Sequence, residues 1–158
     1  MKRASLLVGV TVGAAVLVAG ILVAKRDSPD AAVQRLLTAG CSAELRENPA
    51  TDLRKRPRIP ESFVPVAAME CRRPSGGNFV PFVATNSMPT LADAFRLAHK
   101  TGVPAGLVCA PYADRWLPLL LADAQGDLVT PTPPLDGCGH IRPEVRAART
   151  QLVFRQAG

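Results

Sequence analysis

Apolar positions recur along this chain in three different patterns, and each pattern marks a different kind of element. Residues 6–24, LLVGVTVGAAVLVAGILVA, carry no charge, with Lys2 and Arg3 before them and Lys25 and Arg26 after. At a rise of about 1.5 Å per residue a helix over this run spans about 28 Å, close to the hydrocarbon thickness of a bilayer. Val33, Leu36 and Leu37 then recur at helical spacing behind Ser28, Pro29 and Asp30: a capping hydroxyl, a first-turn proline and an acid matched to the helix dipole. Gly40 offers a stop, so a short helix is expected to end just before Cys41. Residues 42–62 are polar and broken by prolines, which reads as a loop.

Beyond the loop the pattern changes to strand-like runs. FVPVAAMECRR (63–73) and FVPFVAT (79–85) flank PSGGN, which predicts two strands around a Gly-Gly turn. TLADAFRLAHKTG (90–102) follows as a helix: Thr90 and Asp93 approximate a capping box, Leu91, Ala94, Phe95 and Ala98 form one face, and Gly102 ends it. The order then repeats as WLPLLLAD (116–123), AQG, DLVTPTP (127–133) and the helical PEVRAARTQL (143–152), with Pro65 and Pro118 in matching places. The prediction is an α+β fold of ββα-ββα layout, a small antiparallel sheet with two helices on one face, preceded by a transmembrane helix. Prolines inside three of the strands imply edge positions or bulges, because each removes a ladder donor. Three segments result: an anchor at 1–26, a juxtamembrane helix and basic linker at 27–58, and the α+β domain at 59–158.

At 158 residues and 47% apolar content the chain has room for one core plus this appendage. A cleaved signal peptide has an apolar region of about 7–15 residues, shorter than the run here, so the segment reads as an uncleaved signal anchor. Release by cleavage, giving a secreted protein, is the alternative, although LVA at 22–24 and VAG at 18–20 match the small-x-small pattern only in part. TAGC at 38–41 has the form of a lipoprotein acylation box but does not abut the apolar run, which argues against lipidation.

Lys2 and Arg3 on one flank nearly balance Lys25, Arg26 and Arg35 on the other, so charge does not orient the segment. The cysteines do. Cys41, Cys71, Cys109 and Cys138 all follow the apolar run, an even number that suggests two disulfides in an oxidising compartment. The amino terminus is therefore expected in the cytoplasm and the rest of the single-pass chain outside it. Four cysteines allow three connectivities; Cys41 with Cys71 and Cys109 with Cys138 is favoured, because the second pair brackets the 116–133 hairpin and the first ties the juxtamembrane helix to the leading strand. Each closed loop is worth about 3 to 4 kcal/mol in the chain-entropy model.

Charge and candidate chemistry add little to this. The net charge of +6 is modest once the anchor's flanks are set aside, and aromatics are only 4%, too few to supply stacking platforms for nucleic acid. Arg54, Lys55, Arg56 and Arg58 form a basic cluster, a candidate contact for anionic lipid headgroups or wall polymer, although a solvated basic loop is the commoner meaning. Asp123, Gln125 and Asp127 suggest a calcium loop, but Pro134 stands where the closing glutamate belongs. A type I turn, with Asp123 accepting backbone N–H groups and Gly126 at positive φ, accounts for them better. Cys138 with His140 has the look of a nucleophile and base, yet a cysteine in a disulfide offers no thiolate. His99 falls near the polar side of its helix and is expected to be solvated, and no CxxC or HxxxH pair supplies chelating spacing for zinc. The exported part has no phosphate loop, GxSxG, HExxH or SxxK, so no catalytic residue, metal or cofactor is expected and binding is favoured over catalysis. The enzymatic alternative is an envelope hydrolase or transferase using Asp123, Asp127 and Asp136 near Arg142.

The stretch CAPYADRWLPLLLADAQGDLVTPTPPLDGCGHIRPEVRAA, residues 109–148, resembles a group of short uncharacterised exported or membrane-anchored proteins of actinobacteria. These share a cysteine, an aromatic-aliphatic strand ending in D-x-x-G, a proline-bearing strand, D-x-C-G and R-x-x-V. The resemblance implies an envelope location and carries no activity with it.

Overall fold

The run VAAMEC, apolar except for one acid, becomes strand β1 (Pro65–Arg72) and takes the middle of the sheet, where both faces of a strand are covered. The computed structural model describes residues 29–42, 45, 57–103, 105–106, 108–109 and 116–157; the apolar run at 6–24 and Arg54, Lys55 and Arg56 lie outside these. No helix among the described residues is long and apolar enough to cross a membrane.

Helix α1 (Pro29–Ala39) comes first, followed by β1, a single 3-10 turn at Pro74–Gly76, and β2 (Val80–Ala84). Helix α2 (Met88–Arg96), β3 (Leu120–Asp123), β4 (Leu128–Val129), helix α3 (Pro143–Thr150) and β5 (Arg155–Gln156) complete the order. All pairings are antiparallel in the order β4-β3-β1-β2-β5. The two ββα units are thus arranged symmetrically about the β3/β1 boundary: their leading strands lie side by side, and α2 packs on α3. Pro65 stands at the first position of β1, beside a register shift before Ala67, a place where a strand tolerates the missing donor.

On one face Ala68, Ala84 and Leu121 meet Leu91 and Phe95 of α2 and Val145 and Ala148 of α3, with Trp116, Leu119, Leu135 and Ile141 closing the sides. The α+β layout with two helices on one face is as expected. The opposite face is not open. Ala32 and Leu36 of α1, together with Leu45, cover Ala67, Met69, Cys71, Leu120 and Ala122. The alternation of a pleated strand explains this two-sided core: from Ala67 to Cys71, beyond the register shift, odd positions of β1 face α1 and even positions face the helix pair.

Several boundaries differ from the expectation, each for a local reason. Helix α2 begins at Met88 behind Ser87, whose φ of 56° and lack of a side-chain cap replace the Thr90 capping box. It ends at Arg96 instead of reaching Gly102, because Leu97 turns to extended backbone and Arg58 donates to the carbonyls of Arg96 and Leu97. The strand expected over 127–133 is paired only at Leu128 and Val129, and Pro131, Pro133 and Pro134 beyond it have no N–H to extend the ladder. Strand β5, which the sequence pattern did not suggest, pairs Gln156 with Phe82 and Arg155 with Val83.

Candidate functional site

The cysteines bond in the favoured pairs. Cys41 joins Cys71 with Cα atoms 5.8 Å apart, and Cys109 joins Cys138 at 5.5 Å. No free cysteine is present, and two bridges in one small domain mark an oxidising setting outside the cytoplasm. The thiolate that nucleophilic or metal chemistry would need at Cys138 is spent.

The acids thought capable of catalysis are held in two turns of the same design. At the first, Asp123 Oδ1 accepts the N–H groups of Gln125 at 3.0 Å and Asp127 at 2.8 Å, while Gly126 N–H donates to the Asp123 carbonyl at 3.2 Å. At the second, Asp136 Oδ1 accepts from Cys138 at 2.8 Å and His140 at 2.9 Å, and Gly139 N–H donates to the Asp136 carbonyl at 3.1 Å. In each the fourth residue is a glycine at positive φ, 91° at Gly126 and 83° at Gly139, which returns the chain to β4 in the first turn and to the single Leu135–Ile141 bridge in the second. Asp123 was expected in this role; Asp136, the aspartate of D-x-C-G, plays it too. Its other oxygen lies 3.9 Å from His140 Nδ1, so Asp136, Cys138 and His140 cluster within 4.8 Å. With the Cys138 sulfur in a disulfide and one Asp136 oxygen filled by two N–H groups, the trio is a turn and lacks the donor set for a metal.

The proposed acid set is divided between clefts. Asp123 and Asp127 line a groove of 620 Å³ with Pro60, Phe63, Val64, Val66 and Leu128. Asp136 lines a different cleft, of 310 Å³, with His99, Lys100 and Gly102. Arg142 lines neither; it pairs with Glu144 and donates to the Ala98 carbonyl at 2.9 Å. The pairing raises the Arg142 pKa and lowers that of Glu144 to about 2. His99 is not solvated as expected: it is half-buried and its Nδ1 accepts the Leu135 N–H at 3.0 Å. Gly137 is needed in that cleft because a Cβ there would strike the Gly102 carbonyl.

Of the basic cluster, only Arg58 is described, and its guanidinium is engaged. It caps the α2 C-terminus with bonds of 3.0 Å to the Arg96 and Leu97 carbonyls, while Arg96 reaches back to the Phe63 carbonyl at 2.8 Å. Arg58 therefore ties the α2 C-terminus to the segment that precedes β1.

Two features escaped the sequence reading. Glu70, 1% exposed on central strand β1, accepts from Arg149 of α3 and from Arg72. Arg149 also lies over the Trp116 ring at 4.3 Å and donates to the Leu117 carbonyl at 2.9 Å, and Arg72 lies over Phe82 at 4.6 Å. Burial pushes the Arg149 guanidinium down from its ordinary value, and the Glu70 carboxylate opposes that. A lone acid inside an apolar strand was the available signal, but its partner stands 79 residues away. The second is the groove beside β4, where Val64 is 60% exposed and Leu128 41%. No family model, curated protein or solved structure matches the chain.

Proposed function

We propose that this chain is a single-pass envelope protein, with its N-terminus in the cytoplasm and its disulfide-braced domain outside, that works by binding another envelope component. The supporting observation is how the reactive groups are used. Both cysteine pairs are bridged, Asp123 and Asp136 give an oxygen each to turn N–H groups, and Arg142 is committed to Glu144 and a carbonyl. The enzymatic alternative required Asp123, Asp127 and Asp136 to converge near Arg142, and they line separate clefts. Because α1 covers the second face of the sheet, the contact surface belongs to edges and loops. An envelope protein suits such a surface; anionic wall polymer or headgroups would rely on Arg54, Lys55 and Arg56, the members of the basic cluster other than Arg58.

Intact cells treated with a membrane-impermeant maleimide test the topology. Labelling only after reduction, with an intact mass that includes residues 1–26, is the expected result. A mass lacking them moves the chain to the secreted alternative, and labelling only after permeabilisation inverts the topology. Crosslinking of the membrane-embedded full chain should enrich a defined envelope component; no enrichment would remove the binding role.

A further inference from the structure

The two edges of the sheet differ in kind. Strand β5 offers Arg155 and Gln156, both exposed, and a charged edge resists added strands. Strand β4 offers Leu128 and Val129 beside an apolar groove. The ladder there can be followed residue by residue. Asp123 N–H donates to the Asp127 carbonyl at 3.2 Å, which makes this the hydrogen-bonded pair that closes the hairpin. Antiparallel pairs alternate, so the next pair, Ala122 with Leu128, is the non-bonded kind, and the N–H and C=O of Leu128 point away from the sheet. The edge, unpaired among the described residues, ends where Thr132 N–H donates to the Pro57 carbonyl at 3.0 Å.

The groove continues this edge. Phe63, Val64, Val66, Leu128 and Val129 give it apolar walls, and Asp123, Gln125 and Asp127 stand at its hairpin end. None of its lining residues is a lysine, arginine or histidine. Asp127 has its main chain fixed in the turn while its side chain is exposed. Arg35 of α1 lies against Gly126, and it does not line the groove.

We propose that the β4 edge and this groove dock an extended peptide segment of a partner protein, with alternating aliphatic and cationic side chains, as an added sixth strand. The inference rests on the binding role proposed above and gives it a surface and a ligand class. Main-chain bonds to Leu128 supply affinity, Val64 and Leu128 take the aliphatic side chains, and Asp127 selects the cation.

The test uses the full chain in detergent and end-capped synthetic peptides that alternate valine with lysine or valine with glutamate. The lysine peptide should bind about tenfold more tightly than the glutamate peptide and weaken with salt. Methylation of alternate peptide nitrogens should abolish binding, because an added strand needs those donors. Asp127→Lys should reverse the preference between the two peptides, with unchanged amide exchange in β1 showing that the fold is intact. Equal affinity for both peptides, indifference to methylation, or an unaltered preference in Asp127→Lys would each overturn the proposal, as would an edge occupied by a second copy of this chain. If the membrane-embedded chain crosslinks to an envelope component only through residues elsewhere, the binding role stands and this surface falls. If it crosslinks to none, the role itself falls.

Discussion

The two faces of the sheet are closed by different means. On one, α2 and α3 pack on each other as well as on Ala68, Ala84 and Leu121, and Phe95 of α2 meets the Trp116 ring at 6.0 Å in a tilted arrangement. On the other, α1, with Leu45 beside it, lies over β1 and β3, with Leu36 its largest fully buried side chain. A helix of this length is marginal by itself in water. The Cys41–Cys71 bridge ties its C-terminal end to the central strand. The helix pair is held by mutual packing and a buried ionic cluster; α1 is held by its packing on the sheet together with a covalent bond at its C-terminal end.

This contrast can be broken first at the two-helix face. Glu70→Ala leaves the Arg149 guanidinium buried without its carboxylate, and denaturant melting should show a loss of about 3–5 kcal/mol. Replacing Glu70 and Arg149 together by leucine and methionine should recover most of that loss. The next effect sharpens the comparison. Cys41→Ser with Cys71→Ser should cost about 2–5 kcal/mol, and hydrogen exchange should show α1 losing protection while α2 and α3 keep theirs. Uniform loss across all three helices would show that the faces are not separable.

Smaller effects belong to the turns. Asp123→Ala and Asp136→Ala each strip the acceptor from two N–H groups, for an expected cost of about 1–2 kcal/mol in thermal or urea unfolding. The Asp123 change should also loosen β4, whose pairing that turn sets. The smallest effect is the Arg142–Glu144 pair. A carboxyl held down to about 2 stabilises the fold above its ordinary value of 4.5 and loses that contribution as pH falls through about 2. Glu144→Gln should flatten this acid limb by lowering the melting midpoint slightly at neutral pH while leaving it nearly unchanged near pH 2.

Much of the layout was legible because it is local. The D-x-x-G after an aliphatic strand specifies the Asp123 hairpin, and Leu91 and Phe95 at helical spacing specify α2. The equivalent turn at Asp136 was hidden by its chemistry: an acid, a cysteine and a histidine within five residues suggest a site, and the flanking Leu135–Ile141 contact is a single bridge with no strand pattern to reveal it. The placement of α1 was not legible either, since its apolar stripe says that it packs and not on which face. Strand β5 is two residues long with both side chains exposed, so no periodicity could announce it. The true end of α2 depends on Arg58, from 38 residues earlier, and the Glu70–Arg149 pair on residues 79 apart. Such contacts are written in tertiary geometry alone.

The Cys41–Cys71 bond has a mechanical consequence. Tension arriving along the chain from its N-terminal side reaches Cys41 and crosses through sulfur to the central strand, bypassing everything from residue 42 to residue 70. Stretching the molecule would leave that segment slack, and the second bridge would likewise shield residues 110–137. The domain thus resists traction through covalent shortcuts, keeping much of its length out of the path of the force.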